Sequence, residues 1–106
     1  MSYAVIFAPE ALNQLEALED FIANARAPAV AARYTDAIVS FCESLAIFPQ
    51  RGLRRDDLMP GLRTTNYRRS VVIAFMANTD TKTVSILGVF YGGQDYGTIF
   101  LDDAGG

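Results

Sequence analysis

The sequence contains no histidine, and only one cysteine and one lysine occur among its 106 residues. Histidine is the most common general base and metal ligand in proteins, so its absence excludes Ser–His–Asp and Cys–His catalytic arrangements and disfavours a metal centre. A lone cysteine cannot form an internal disulfide, which is typical of a reducing cytoplasm. We therefore expect a cytoplasmic protein with no metal and no cofactor, in which any chemistry depends on Arg, Tyr, Lys or carboxylate side chains.

Long apolar runs are also missing. No run approaches the roughly 18–20 residues needed to cross a bilayer, and the start of the chain, MSYAVIFAPEA, lacks the basic region and cleavage site of a signal peptide. Apolar residues make up 51% of the chain and charged residues 20%, as in ordinary soluble domains. These features predict one soluble domain over residues 1–106, with no membrane partner.

Positive charge is scarce and concentrated in the middle of the chain. The net charge is −3. Residues 1–48 carry two Arg against six acidic residues, whereas residues 49–69 carry six Arg against two Asp. Four of the nine basic residues lie within FPQRGLRRDDLMPGLR, residues 48–63. We expect this stretch to form a loop shaped by its Pro and Gly residues, with an arginine patch at the edge of a sheet where an anionic partner can bind.

Prolines and apolar spacing divide the first half of the chain into three elements. The aromatic and β-branched run Tyr3–Ala8 predicts a strand, and Pro9 ends it. Apolar side chains then recur every three or four residues as far as Ala25, which predicts an amphipathic helix of about four turns. A second helical stripe starts at Pro28 and runs about 20 residues to Phe48. The short break between the stripes predicts an antiparallel helical hairpin.

The second half is rich in β-branched and aromatic residues, which is typical of strands. Leu62–Ala77 predicts either one long strand or two strands with a bend at TNYR. Polar Asn78–Lys82 predicts a turn, and Thr83–Tyr91 predicts the strand that completes a hairpin. Arg68 and Arg69 are adjacent in a predicted strand, so we expect their side chains on opposite faces of the sheet.

The order of elements is therefore β, α, α and then two or three strands. A helical hairpin can cover only one face of such a sheet, which is characteristic of the α+β class. We expect an N-terminal strand, an antiparallel two-helix hairpin and then a three-stranded antiparallel sheet packed on the hairpin.

Four stretches at the joints of these elements resemble toxins of the RelE/ParE superfamily, from bacterial type II toxin–antitoxin modules. They are APEALNQLEALEDFIA, which opens the first helix, ESLAIFPQRG, which closes the second, RRDDLMPGLRT, which enters the sheet, and ILGVFYGGQDY, which ends the last strand. Their order and spacing, from Tyr3 to about Tyr96, are most similar to the ParE branch. The resemblance implies a RelE/ParE-like fold.

The resemblance to ParE-type toxins also implies a function. It implies a toxin that arrests growth by binding and poisoning DNA gyrase. A ParD-like antitoxin would wrap a C-terminal segment around the toxin and neutralise it in a hetero-oligomer. The chain would then act by binding rather than as an enzyme, and no catalytic residue is predicted. A degenerate toxin, retained as a non-toxic interaction module, is an alternative.

The RelE branch instead cleaves mRNA on the ribosome with Arg, Lys and Tyr side chains, so a RelE-like endoribonuclease is the enzyme alternative. Arg69 matches the first arginine position of that branch, but the second position holds Gln94, which has no charge to offer a phosphate. Lys82, the only lysine, lies in a predicted turn away from any such cluster. A pI near 4.7 is also poorly suited to a polyanionic ribosome. These features favour the gyrase interpretation.

Candidate binding residues lie in the basic region, beside the glycine pair after the last strand, and on the first helix. Tyrosine is favoured at interfaces because it offers a large contact area at low entropic cost. The candidates for target binding are Arg51, Arg54, Arg55, Arg63, Arg69, Tyr91 and Tyr96. The candidates for antitoxin binding are Leu15, Leu18, Ile22, Arg63 and Arg69. Both sets have a structural alternative, since a loop arginine can pair with Asp56 or Asp57 and a tyrosine can close the open end of the core.

Overall fold

The structure, a computed structural model, describes residues 2–68 and 70–91. In this part of the chain two helices pack on one face of a five-stranded sheet, which confirms the α+β class. Within the described residues, neither helix has the length and apolar content that crossing a bilayer requires.

Two prolines set the starts of the two helices. Helix α1 spans Pro9–Ala25 and helix α2 spans Pro28–Ser44, and each has its proline in the first turn, where the missing N–H is not needed. Arg26 leaves the helical conformation with φ −132° and ψ −95°, which ends α1. The Thr35 hydroxyl donates to the Glu19 carboxylate over 2.8 Å and joins the two helices. The predicted helical hairpin is confirmed.

The predicted end of the second helix is wrong, because α2 stops at Ser44 rather than at Phe48. The N–H groups of residues 45–47 donate to carbonyls only three positions back, so the chain tightens there from α-helical to 3₁₀ geometry. Over three residues this tightening rotates the next side chain by about 60°. Phe48 therefore leaves the buried stripe and is 58% exposed.

The five strands form one sheet in the order β1-β5-β4-β3-β2. Their bounds are β1 Ala4–Phe7, β2 Leu53–Arg54, β3 Leu62–Tyr67, β4 Val71–Asn78 and β5 Thr83–Tyr91. Strands β3, β4 and β5 pair antiparallel as predicted. The stretch Leu62–Ala77, for which the sequence allowed either one long strand or two, forms two strands. Strand β1 adds to this sheet parallel to β5. A parallel pair needs a long connection, and here the chain passes through both helices and through β2, β3 and β4 before it reaches β5. Strand β2 lies in the stretch predicted as a loop.

Arg68 does not lie in a strand, contrary to the sequence-based prediction. It occupies the turn between β3 and β4 with φ 55°, a left-handed conformation, so strand alternation does not set its direction. Its guanidinium carbon lies 5.4 Å from the centroid of the Tyr67 ring. Arg69 lies outside the described residues.

Apolar side chains fill both faces of the sheet, but unequally. The larger cluster joins the two helices to β4 and β5 and has Phe75 as its largest fully buried side chain. A smaller cluster on the opposite face consists of Leu58, Leu62, Ala74 and Phe90. Successive β4 residues alternate between the two clusters, as the pleat of a strand requires. The basic region thus covers part of the face that the helices leave open, through Leu58.

A β-bulge in β5 links the sheet to helix α1. The pairing of β4 with β5 shifts next to Phe75, and Leu87 is the extra residue on β5. Just after this residue, the Val89 N–H donates to the Gln14 side-chain oxygen over 2.6 Å. A side chain of α1 therefore takes the place of a strand partner where the bulge disturbs the ladder.

Replacing Gln14 with alanine is expected to lower the free energy of unfolding by about 1–3 kcal/mol, because a partly buried N–H loses its acceptor. Gln14→Glu is the matched control, since a carboxylate oxygen accepts the same hydrogen bond. Urea denaturation followed by circular dichroism measures the stability, and amide exchange measures the protection of Val89. Unchanged Val89 protection in Gln14→Ala would refute the role of this hydrogen bond.

Candidate functional site

The arginines of the basic region divide into those with a carboxylate partner and those without one. Arg54 forms an ion pair with Asp56 over 3.1 Å, and Arg55 forms one with Asp57 over 2.9 Å. Both pairs lie at the surface, where water and salt screen them. These ion pairs support a structural role for Arg54 and Arg55, although both remain candidates for target binding.

Asp56 organises the turn that follows β2. Its carboxylate accepts the Gly61 N–H over 2.8 Å as well as the Arg54 guanidinium. The hydrogen bond from Gly61 lowers the pKa of Asp56 below its ordinary value of 3.8, and the positive charges of Arg54 and Arg63 lower it further. The ionised form of Asp56 therefore favours the observed turn.

This lowered pKa predicts a pH-dependent effect of Asp56→Asn. The stabilisation from the charge is present above the ordinary value of 3.8 and is lost as the pH falls through the lower folded-state value. Asn keeps an acceptor for Gly61 but has no charge. We therefore expect Asp56→Asn to be less stable than the wild type at neutral pH and equal to it in acid. Urea denaturation across the pH range measures this gap, and a gap that stays constant would contradict the prediction.

Arg51 and Arg63 are held by aromatic and backbone groups instead. The Arg51 guanidinium carbon lies 5.4 Å from the centroid of the Phe48 ring and 5.6 Å from that of Phe41, which is cation–π geometry. The Arg63 guanidinium donates to the Gln50 carbonyl over 2.9 Å. Arg54 pairs with Arg63 across β2 and β3, so both side chains lie on the same face of the sheet edge. The structure thus brings Arg51, Arg54 and Arg63 together.

A second surface lies at the other end of the helical hairpin, where α1 and α2 meet the ends of β4 and β5. An apolar groove of about 420 Å³ opens there. Tyr91 and Phe21 line it with ring centroids 6.1 Å apart, and Phe21 is 62% exposed. Ile22, Val30 and Tyr34 form other parts of its wall. Tyr91, a candidate for target binding, and Ile22, a candidate for antitoxin binding, therefore share one groove.

The other predicted contact residues of the first helix lie deeper. Leu15 is 7% exposed and Leu18 is 4% exposed, and both belong to the main core. Leu18 still borders the groove, whereas Leu15 does not line it. Their place in the core follows from the helical stripe, and their small exposed area leaves Ile22, which is half-buried, as the most accessible of the three predicted antitoxin contacts on this helix. Arg69 and Tyr96, like Gln94, lie outside the described residues.

Among the described residues no group of three or more Cys, Asp or Glu side chains is placed to hold a metal ion. Cys42 is fully buried, and burial, reinforced by the charge of Glu43, raises the pKa of its thiol to about 12. The thiolate is therefore disfavoured, as the position of this residue beside the second helical stripe predicts.

Sequence reasoning missed two features of these surfaces. Phe21 and Phe48 each continue a helical stripe of apolar residues, a pattern that predicts a place in the core, but both are exposed. For Phe48 the signal is the proline that follows it, because the residue before a proline is disfavoured in the α-helical conformation and helices usually end at or before it. No comparable signal in the sequence marks Phe21.

Comparison with solved structures identifies the fold. The fold matches a chain of the chromosomal ParDE toxin–antitoxin system from P. aeruginosa with a TM-score of 0.72 and 22% identity, covering 85% of this chain and 96% of that chain. A chain of the RelBE2 toxin–antitoxin complex from Mycobacterium tuberculosis matches with a TM-score of 0.64 and 23% identity, covering 87% and 100%. A mutant of the E. coli toxin RelE in the free state matches with a TM-score of 0.67 and 14% identity, covering 98% of each chain. The fold is that of a RelE/ParE-superfamily toxin.

The sequence itself identifies the family. Residues 5–96 match the family described as the ParE toxin of the type II toxin–antitoxin system parDE. This match spans most of the chain, so the protein belongs to the ParE toxin family. Comparison with curated proteins gave no match.

Proposed function

We propose that this chain is a growth-arresting toxin that binds and poisons DNA gyrase in the cytoplasm, and that a ParD-like antitoxin neutralises it. The family match over residues 5–96 is the observation that carries this proposal. The fold shared with a chain of the P. aeruginosa ParDE system supports the pairing of toxin and antitoxin.

The placement of the charged residues supports action by binding rather than by RNA cleavage. A RelE-like nuclease needs several cations around one scissile phosphate. Lys82 precedes β5 and Tyr91 ends it, so the two are separated by roughly 25–30 Å along the strand. Arg54 and Arg55 are already paired with Asp56 and Asp57. These distances and pairings favour a binding protein over a phosphate-cleaving enzyme.

The groove beside Tyr91 provides a simple route to neutralisation. Tyr91 and Phe21 offer aromatic area for a target, and Ile22 offers apolar area for an antitoxin, within the same groove. An antitoxin segment seated on Ile22 would cover Tyr91 as well. We therefore propose that antitoxin and target compete for this groove, with Arg69 and Tyr96 as further candidate contacts.

The test is induced expression of the chain without its antitoxin, with two measurements on one culture. DNA breaks and filamentation report gyrase poisoning, and 5′-end mapping of transcripts reports mRNA cleavage. We expect growth arrest, DNA damage and intact mRNA. The Tyr91→Ala variant should lose toxicity while a surface control, Arg33→Ala, should keep it.

Two outcomes would contradict the proposal. Codon-linked mRNA cuts without DNA damage would identify a RelE-like ribonuclease. Unimpaired growth, with the chain folded and abundant in the cells, would identify a non-toxic interaction module.

A further inference from the structure

The early end of helix α2 exposes apolar side chains next to the clustered arginines. Ile47 is 67% exposed, and it borders a shallow cavity of about 560 Å³ together with Phe48, Pro49, Gln50 and Arg51. Large apolar side chains that stand together in solvent are a common mark of an interaction site. We call the surface formed by Ile47, Phe48, Arg51, Arg54 and Arg63 the basic apolar patch.

The basic apolar patch has more arginine side chains than carboxylate partners for them. Arg54 forms an ion pair with Asp56, whereas Arg63 donates to the Gln50 carbonyl and has no ion pair with any of the described residues. Arg51 lies over two phenylalanine rings and forms no ion pair with any of the described residues. Of the three guanidinium groups in the patch, only that of Arg54 is in an ion pair with a described carboxylate, and Arg51, which lies over exposed Phe48, is the arginine best placed to bind a carboxylate of a partner.

We infer that the basic apolar patch binds an acidic, amphipathic segment of the antitoxin. Such a segment would place an aliphatic or aromatic side chain against Ile47 and Phe48 and a carboxylate against Arg51. The Phe48 ring below Arg51 holds the guanidinium in place, so little side-chain entropy is lost on binding. This inference rests on the proposed function, which supplies the antitoxin.

A nucleic acid is a poorer fit to the same surface. Phosphate binding depends on counterion release by many cations, whereas the patch offers three arginines around exposed aliphatic surface. The neighbouring helices belong to a segment in which acidic residues outnumber arginines six to two, and Glu43, four residues before Ile47 in the chain, is exposed. This negative charge repels a polyanion but tolerates a short peptide with a few carboxylates.

The position of the patch fits an antitoxin that also occupies the groove beside Tyr91. The two surfaces lie at opposite ends of α2, which has 17 residues and is therefore about 25 Å long. About eight residues of extended chain span this distance. Two linked contacts, each weak alone, bind more tightly than either because the second forms at a high effective concentration.

The test uses the purified protein encoded directly beside the gene of this chain as the probe, with binding measured by isothermal titration calorimetry. The variants are Arg51→Glu and Phe48→Ala, and circular dichroism verifies their fold. Arg33→Glu is the matched control, because it changes the net charge by the same amount on an exposed part of α2 outside the patch. We expect Arg51→Glu to weaken binding about tenfold or more and Arg33→Glu to change it less than about twofold. Added salt should weaken the wild type more than Arg51→Glu.

Three results would overturn the inference, and they differ in what else they affect. Wild-type affinity in both Arg51→Glu and Phe48→Ala would overturn the inference alone and leave the proposed function intact. Loss of gyrase inhibition in Arg51→Glu with unchanged affinity for the probe would reassign the patch to the target. No binding of the probe by the wild-type chain would overturn the antitoxin part of the proposed function as well.

Discussion

Replacing Phe75 with alanine is expected to lower the free energy of unfolding by about 3–5 kcal/mol. Phe75 lies in the middle of β4, is fully buried and is the largest side chain of the main core. The ring packs between the sheet and the helical hairpin, so its loss removes buried apolar area and leaves a cavity that both layers border. Urea denaturation followed by circular dichroism measures the change.

Phe21→Ala is the control for this experiment, because it removes the same side chain from an exposed position. We expect its cost to stay below about 1 kcal/mol, since the ring already contacts water. Equal losses in the two variants would mean that the helices and sheet do not pack as described. A Phe21→Ala variant that keeps its stability is also a clean probe of the groove beside Tyr91.

The second large effect is expected for Gly52→Ala. Gly52 has φ +85°, and a Cβ atom there would lie 2.2 Å from the carbonyl oxygen of Thr64 on β3. The clash is with backbone, so the strand β2 that follows must move away from β3. We expect a loss of at least about 2 kcal/mol, because left-handed strain and the clash add together. The movement would also carry Arg54 away from Arg63 and dismantle the basic apolar patch.

The Gly61→Ala variant separates the cost of left-handed backbone strain from the cost of the steric clash. Gly61 has nearly the same φ, +83°, but its nearest neighbour is the end of the flexible Met76 side chain at 3.1 Å. We expect a cost of about 1–2 kcal/mol from backbone strain alone. Thermal denaturation of both variants compares the two costs. If Gly52→Ala is no less stable than Gly61→Ala, β2 does not pair with β3 as described.

Local signals in the sequence predicted most of the fold. Pro9 and Pro28 mark the starts of both helices because proline fits the first helical turn and little else in a helix. Enrichment in β-branched and aromatic residues indicated the region of β3, β4 and β5, and the polar turn Asn78–Lys82 located the hairpin of β4 and β5. The predicted end of helix α2 at Phe48 was wrong, because apolar spacing alone does not show that the chain tightens after Ser44.

Features that depend on a distant partner were not predictable. Strand β2 has only two residues and exists because Leu53 and Arg54 pair with β3. The bulge at Leu87 is visible only once β4 and β5 are aligned. The groove beside Tyr91 requires the convergence of both helices with the ends of two strands. The concentration of arginines was plain in the sequence, but their division between carboxylate, ring and backbone partners was not.

The most direct test of the proposed function is a gyrase cleavage assay with the purified chain. Relaxed plasmid, gyrase and ATP are incubated with increasing amounts of the chain, and the DNA is then analysed after denaturation of the protein. We predict that linear DNA accumulates as supercoiling falls, and that prior addition of the antitoxin prevents both effects. Unchanged supercoiling and no linear DNA, with the folded chain in large excess over gyrase, would contradict the proposal that this member of the ParE family is a gyrase poison.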